Sequence, residues 1–120
     1  MEKNNELLNG LSAEETIEAL KKQYGQIYQV DMTLETTDEE EEIVTYFFTK
    51  PKAPSFHRYM KNVSKDVTSA ATAFVNDNIV PEQREMLKEK IKTHPAITMA
   101  LSNKLGALLG FTDKIILKKV

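Results

Sequence analysis

The sequence predicts an α+β fold: an N-terminal helix, an antiparallel β-hairpin, then a bundle of about four short helices grouped after the sheet. Three observations carry this. Apolar residues at positions 13, 17, 20 and 24 keep a helical period between a serine and a glycine. The stretches "QIYQVDMTLE" and "EIVTYFFT" then have the alternation and the β-branched, aromatic composition of strands. From Pro51 onward, prolines and capping residues divide a series of helical stripes.

Residues 1–11 are mostly polar and read as a loose leader. Ser12, followed three residues later by Glu15, is a capping box, and Gly25 stands at the C′ position. A helix over 12–24 follows, with Ala13, Ile17, Leu20 and Tyr24 on its inner stripe. The hairpin is expected within 26–49, where Tyr28, Val30, Met32 and Leu34 alternate with Gln29, Asp31 and Thr33. The acids Asp38 to Glu42 repel one another and suit a solvated hairpin tip. Pro51 and Pro54 cannot donate to a continuing ladder, so the second strand stops there.

The helical part is expected over 55–110. Pro54 or Ser55 starts its first helix, with Phe56, Tyr59, Met60 and Val63 at i, i+3, i+4 and i+7. Asp66 is the expected N-cap of the next helix, whose inner face is Val67, Ala71, Phe74 and Val75. Pro81 opens a charged helix with Met86, Leu87 and Ile91 inward. Thr93 as cap and Pro95 in the first turn then begin the last helix, with Ile97, Leu101, Leu105 and Leu108 as its stripe and Gly110 as its stop. Residues 111–120, "FTDKIILKKV", form a tail or a third strand. With no internal repeat and no long linker, 1–120 is expected to be a single domain.

Composition narrows the chemistry. The formal net charge is −2, but residues 1–50 hold 4 Lys/Arg against 12 Asp/Glu and residues 51–120 hold 12 against 6. That asymmetry suits either solvated surfaces or a charged partner. The absence of cysteine excludes disulfides, thiol nucleophiles and thiolate metal sites. No apolar run approaches the ~20 residues of a membrane span, and the N-terminus has no signal-peptide pattern, so an unsecreted soluble protein is expected. His57 and His94 are too few and too far apart in sequence for a metal site. Ser55 and His57 point to different helix faces, which argues against a nucleophile and base. None of the four glycines belongs to a phosphate cradle. Neither an enzymatic activity nor a cofactor is therefore expected. The alternative is a small DNA-binding regulator using residues 81–109 as a helix-turn-helix. Its reading face would offer Ser102, Asn103 and Lys104, a poor set for base edges and phosphates.

The segments "VTYFFTKP", "FHRYM", "IVPEQ" and "HPAITMALSNKLGALLGF" resemble the small tail assembly chaperones of long-tailed bacteriophages and prophages. The likeness covers roughly residues 26–111 and is anchored by Tyr46, Phe48, Pro51, Tyr59, Pro95, Leu101, Leu105 and Gly110. It implies a non-enzymatic protein in the host bacterial cytoplasm. Such a chaperone coats the tape measure protein until tail tube protein polymerises around it. The implied partners are therefore the tape measure protein and the tail tube protein, with a homo-oligomer as a further expectation. Leu101, Leu105, Leu108 and Phe111 are the candidate anchors for an amphipathic partner helix. A buried core stripe has the same period, so burial decides between the two.

Overall fold

The computed structural model describes residues 12–35 and 40–120. Its order is α1 (Ala13–Tyr24), β1 (Tyr28–Glu35), β2 (Glu41–Phe48), α2 (Ala53–Val63), α3 (Val67–Asn78), a 3-10 turn (Pro81–Gln83), α4 (Arg84–Thr93) and α5 (Ile97–Ala107). The fold is α+β, with a helix, a two-stranded antiparallel hairpin and a series of helices. The expected single domain divides into two compact units, each discontinuous in sequence. The first comprises Met1–Lys50 with Asn78–Lys90, and the second Pro51–Asp77 with Ile91–Val120.

In the first unit α1 begins as its capping box requires. Ser12 Oγ accepts from the Glu15 amide at 3.1 Å, and the Glu15 carboxylate accepts from the Ser12 amide at 3.0 Å. Its inner stripe is Thr16, Ile17, Leu20 and Tyr24, whereas Ala13 is exposed. Leu20 is buried against Phe47 and Val80, with Ile17, Tyr24 and Ile27 packed around them. The hairpin register runs from Tyr28 opposite Phe48 to Glu35 opposite Glu41. Val30, Met32 and Leu34 therefore share a face with Val44, Tyr46 and Phe48, while Phe47 points the other way toward Leu20.

The outer edge of β2 is closed by a polar residue that the sequence reading passed over. Gln83, only 1% exposed, accepts from the Phe47 amide at 2.7 Å through Oε1 and donates through Nε2 to the Thr45 carbonyl at 3.1 Å. Val80 N–H adds a bond to the Phe47 carbonyl at 3.0 Å, and Thr49 N–H one to Asn78 at 2.9 Å. One side-chain amide thus stands in for a third strand. The acidic run is only partly a solvated tip: Glu41 and Glu42 belong to β2, and Lys90 Nζ lies 3.0 Å from both Glu42 carboxylate oxygens. Asp38 and Glu39 lie outside the described residues.

Tyr46 is fully buried, yet its hydroxyl has no hydrogen-bond partner among the described residues. Burial, aided by the Glu42 charge, pushes its pKa from 10.0 up to about 12. The folded state therefore keeps a proton that the unfolded chain releases, and stability is lost as the pH climbs from 10 to about 12. Tyr46→Phe removes an unsatisfied buried group. It is expected to leave melting at neutral pH unchanged or raised, and to flatten the alkaline loss in a pH series of thermal scans. A lower melting temperature at neutral pH would contradict the unsatisfied hydroxyl.

In the second unit α2 starts at Ala53, one residue before Pro54, the earlier of the two expected starts. Lys52 is its N-cap residue, Pro54 sits in the first turn, and Ser55 is a buried helical residue whose Oγ donates to Asp77 at 3.4 Å. Arg58 pairs with the same carboxylate at 2.7 Å, tying α2 to α3. Asp66 caps α3 as expected: its carboxylate accepts from the Ser69 amide at 3.1 Å, a bond that lowers its pKa. The α3 core face is Ala70, Ala71, Phe74 and Val75, while Val67 is 47% exposed. Thr93 and Pro95 do not cap α5. Thr93 Oγ1 faces His94 Nδ1 at 2.8 Å, Pro95 lies in a turn before the helix, and the N-cap is Ala96. After α5, Phe111 N–H bonds back to the Gly106 carbonyl at 3.0 Å while Gly110 takes φ 104°, a left-handed stop that favours glycine.

Candidate functional site: an apolar groove on the second unit

The four candidate anchors separate once burial is known. Leu101 and Leu105 are 1% and 2% exposed and belong to the core, and Leu108 is half-buried. Phe111, 66% exposed, is the member of the four that reaches a groove. The reason is geometric. The α5 stripe points inward through Ile97, Thr98, Leu101, Ser102 and Leu105, so its apolar surface is used within the fold.

The apolar surface left open comes mainly from α2. Phe56, Tyr59, Met60 and Val63 line one side of a groove of about 310 Å³, and Ser102, Asn103, Gly106 and Phe111 line the other. A stripe at i, i+3, i+4 and i+7 would ordinarily be covered by the core. Here Phe56, Tyr59 and Val63 are only half-buried and Met60 is 52% exposed.

Two packing features shape this groove. Phe74 on α3 lies behind the α2 aromatics, stacked on Tyr59 with ring centroids 4.9 Å apart and edge-on to Phe56 at 6.0 Å. These contacts hold both rings in position. On the far side Phe111 folds over Gly106, where an added Cβ would stand 3.4 Å from Phe111 Cβ. A Cβ there would meet that wall at ordinary contact distance, so Phe111 and Gly106 pack closely without requiring glycine.

The lining is apolar with few polar atoms, and its anchors are aromatic or methionine. Methionine adapts to irregular partner surfaces, and aromatic rings supply large contact area. The surrounding unit is basic in composition, with 9 Lys/Arg against 3 Asp/Glu, whereas the first unit has 7 against 15. Among the described residues no three of His, Cys, Asp and Glu are grouped so as to hold a metal ion. No described helix is long and apolar enough to cross a membrane. Ser102, expected on a DNA-reading face, is instead 3% exposed and donates to the Met99 carbonyl at 3.0 Å. The exposed polar side chains left on α5 are Asn103 and Lys104.

Sequence reasoning found the α2 stripe but did not name it among the candidate anchors. It missed the α5 wall because Asn103 and Gly106 carry no signature of their own. A signal was present in the excess of helical stripes over what so short a chain can bury.

The sequence matches a family model described as "Domain of unknown function (DUF6848)" over residues 20–118. No curated protein matches it. Among solved structures, that of the uncharacterised protein rbstp2171 from Bacillus stearothermophilus is similar, at 25% identity and a TM-score of 0.72. The match covers 85% of this chain and 99% of that one.

Proposed function

This chain belongs to the DUF6848 family, and we propose that it is a non-enzymatic binding protein that holds an amphipathic helix of a larger client in the α2–α5 groove. The observation that carries the reading is the half-exposed stripe of Phe56, Tyr59, Met60 and Val63. A concave apolar site with anchors at helical spacing suits a partner helix that lays its own apolar face between Met60 and Phe111. The cationic excess of the second unit favours a helix flanked by acids. The resemblance to phage tail assembly chaperones supports the long helix-rich tape measure protein as the client class, and with it an encounter in the host bacterial cytoplasm. No specific observation favours the DNA-binding alternative, since α5 exposes so few groups able to read bases or phosphates.

The test begins with the DNA flanking the reading frame. A neighbouring frame encoding a very long helix-rich protein would supply the client, from which overlapping peptides can be titrated by calorimetry. Binding is expected for peptides with an apolar face and acidic flanks. Met60→Asp and Phe111→Asp should each weaken it roughly 30-fold or more, the scale of a central anchor. Both side chains are more than half exposed, so circular dichroism should show an unchanged fold. Binding indifferent to both substitutions would overturn the groove assignment.

A further inference from the structure

We propose that residues 114–120 of one copy add as a strand to the outer edge of β1 in a second copy. Three independent features meet in this pairing. The first is the segment "KIILKKV", in which Ile115, Ile116, Leu117 and Val120 are 73%, 83%, 96% and 116% exposed. Scattered exposed apolar residues are ordinary, but a contiguous apolar run standing in water is a docking element.

The second feature is an open ladder. Phe47 directs its N–H and C=O away from β1, to Gln83 and Val80, and Thr45 directs its C=O to Gln83. Their register partners are Gln29 and Asp31. In an antiparallel ladder the partners of outward-facing residues also face outward. Gln29, Asp31 and Thr33 therefore present their backbone groups on the far side of β1, where no described residue bonds to them. The β2 edge is sealed by Gln83 and its neighbours, whereas no described residue pairs with the β1 edge. A two-stranded ribbon gains from a third strand, and a row of free backbone groups is the template for one.

The third feature is charge at matching spacing. Asp31 and Glu35 lie on one face of β1 and are exposed, and in the tail Lys114 and Lys118 are likewise four residues apart. Side chains four apart on a strand share a face. Pairing Thr33 with Ile116 sets both lysines beside both acids whether the added strand runs parallel or antiparallel. In the same register Ile115 and Leu117 fall on the face of Met32 and Leu34, which are half-buried without them. Backbone, charge and apolar complementarity thus select one register.

Each copy carries both a donor strand and an acceptor edge. Exchange either closes as a reciprocal dimer or propagates head to tail. The tail is exposed in the structure, so the pairing is between copies and depends on concentration. It is independent of the groove reading, and Met60→Asp should leave it unchanged.

Sedimentation equilibrium of the full chain across a wide concentration range at low salt tests the proposal. The expected result is reversible association, weakened at least tenfold by Leu117→Asp in the donor and by Thr33→Pro in the acceptor. Thr33 does not donate into the hairpin ladder, and proline is tolerated on such an edge, so the hairpin survives. Lys114→Glu/Lys118→Glu and Asp31→Lys/Glu35→Lys should each associate more weakly, and mixing the two should restore association. A monomer at every concentration overturns the proposal. So does an assembly that ignores Leu117→Asp and Thr33→Pro, or a charge-swapped mixture that stays apart.

Discussion

Gln83→Leu is expected to lower unfolding stability by about 2–5 kcal/mol, a large fraction of what holds so small a domain together. The substitution keeps volume and removes both side-chain bonds. It leaves the Phe47 amide and the Thr45 carbonyl facing an apolar side chain in a site where Gln83 is only 1% exposed. The cost is that of orphaned groups, each about 1–3 kcal/mol, rather than of a lost surface hydrogen bond. Gln83→Glu separates polarity from packing. Near neutral pH a carboxylate can accept from Phe47, but it sets a negative oxygen against the Thr45 carbonyl. Protonated, it recovers a donor for that carbonyl. Urea titrations should thus show Gln83→Glu gaining stability relative to wild type as the pH falls toward the carboxyl range. Equal stability of Gln83→Leu and wild type would mean that the amide bridge does not hold the β2 edge.

Gln83 also shows where sequence reasoning stops. In "PEQREM" it is one polar residue among several, and nothing local marks it as buried. Its partners are 36 and 38 residues away. Short-range chemistry was legible at three helix ends: the Ser12–Glu15 box, the Asp66 cap and the Gly110 stop each depend on a few neighbouring residues and appear as written in the chain. The strands were legible because alternation fixes a face. What periodicity cannot assign is which of several apolar stripes is covered. The α2 and α5 stripes look alike, yet Leu101 and Leu105 are buried whereas Met60 stands open. Packing chooses between them: Ile97, Leu101 and Leu105 are covered by the core, whereas Phe74 of α3 covers the α2 stripe only in part, at the rings of Phe56 and Tyr59. Thr93 failed as a cap because it is the last residue of α4, and the N-cap of α5 is Ala96.

Phe74→Ala is expected to cost about 3–5 kcal/mol, among the largest effects available to a single substitution here. The ring is 1% exposed and touches two aromatics at once, so deletion removes its transfer energy, opens a cavity and releases both contacts. Phe74→Leu refills most of that volume without the stacking and should cost about 1–2 kcal/mol, measured by urea unfolding. The consequence for the groove follows from the same contacts. Tyr59 and Phe56 are held by Phe74 from behind, so Phe74→Leu should weaken client binding without touching the client. A double-mutant cycle with Tyr59→Ala decides whether that link exists. A coupling of about 0.5–1.5 kcal/mol in stability means that floor and wall act as one unit, so the core that folds the second unit also sets the shape of its groove. Additive effects would mean that the α2 stripe keeps its position unaided, and the groove would then owe nothing to the aromatic stack beneath it.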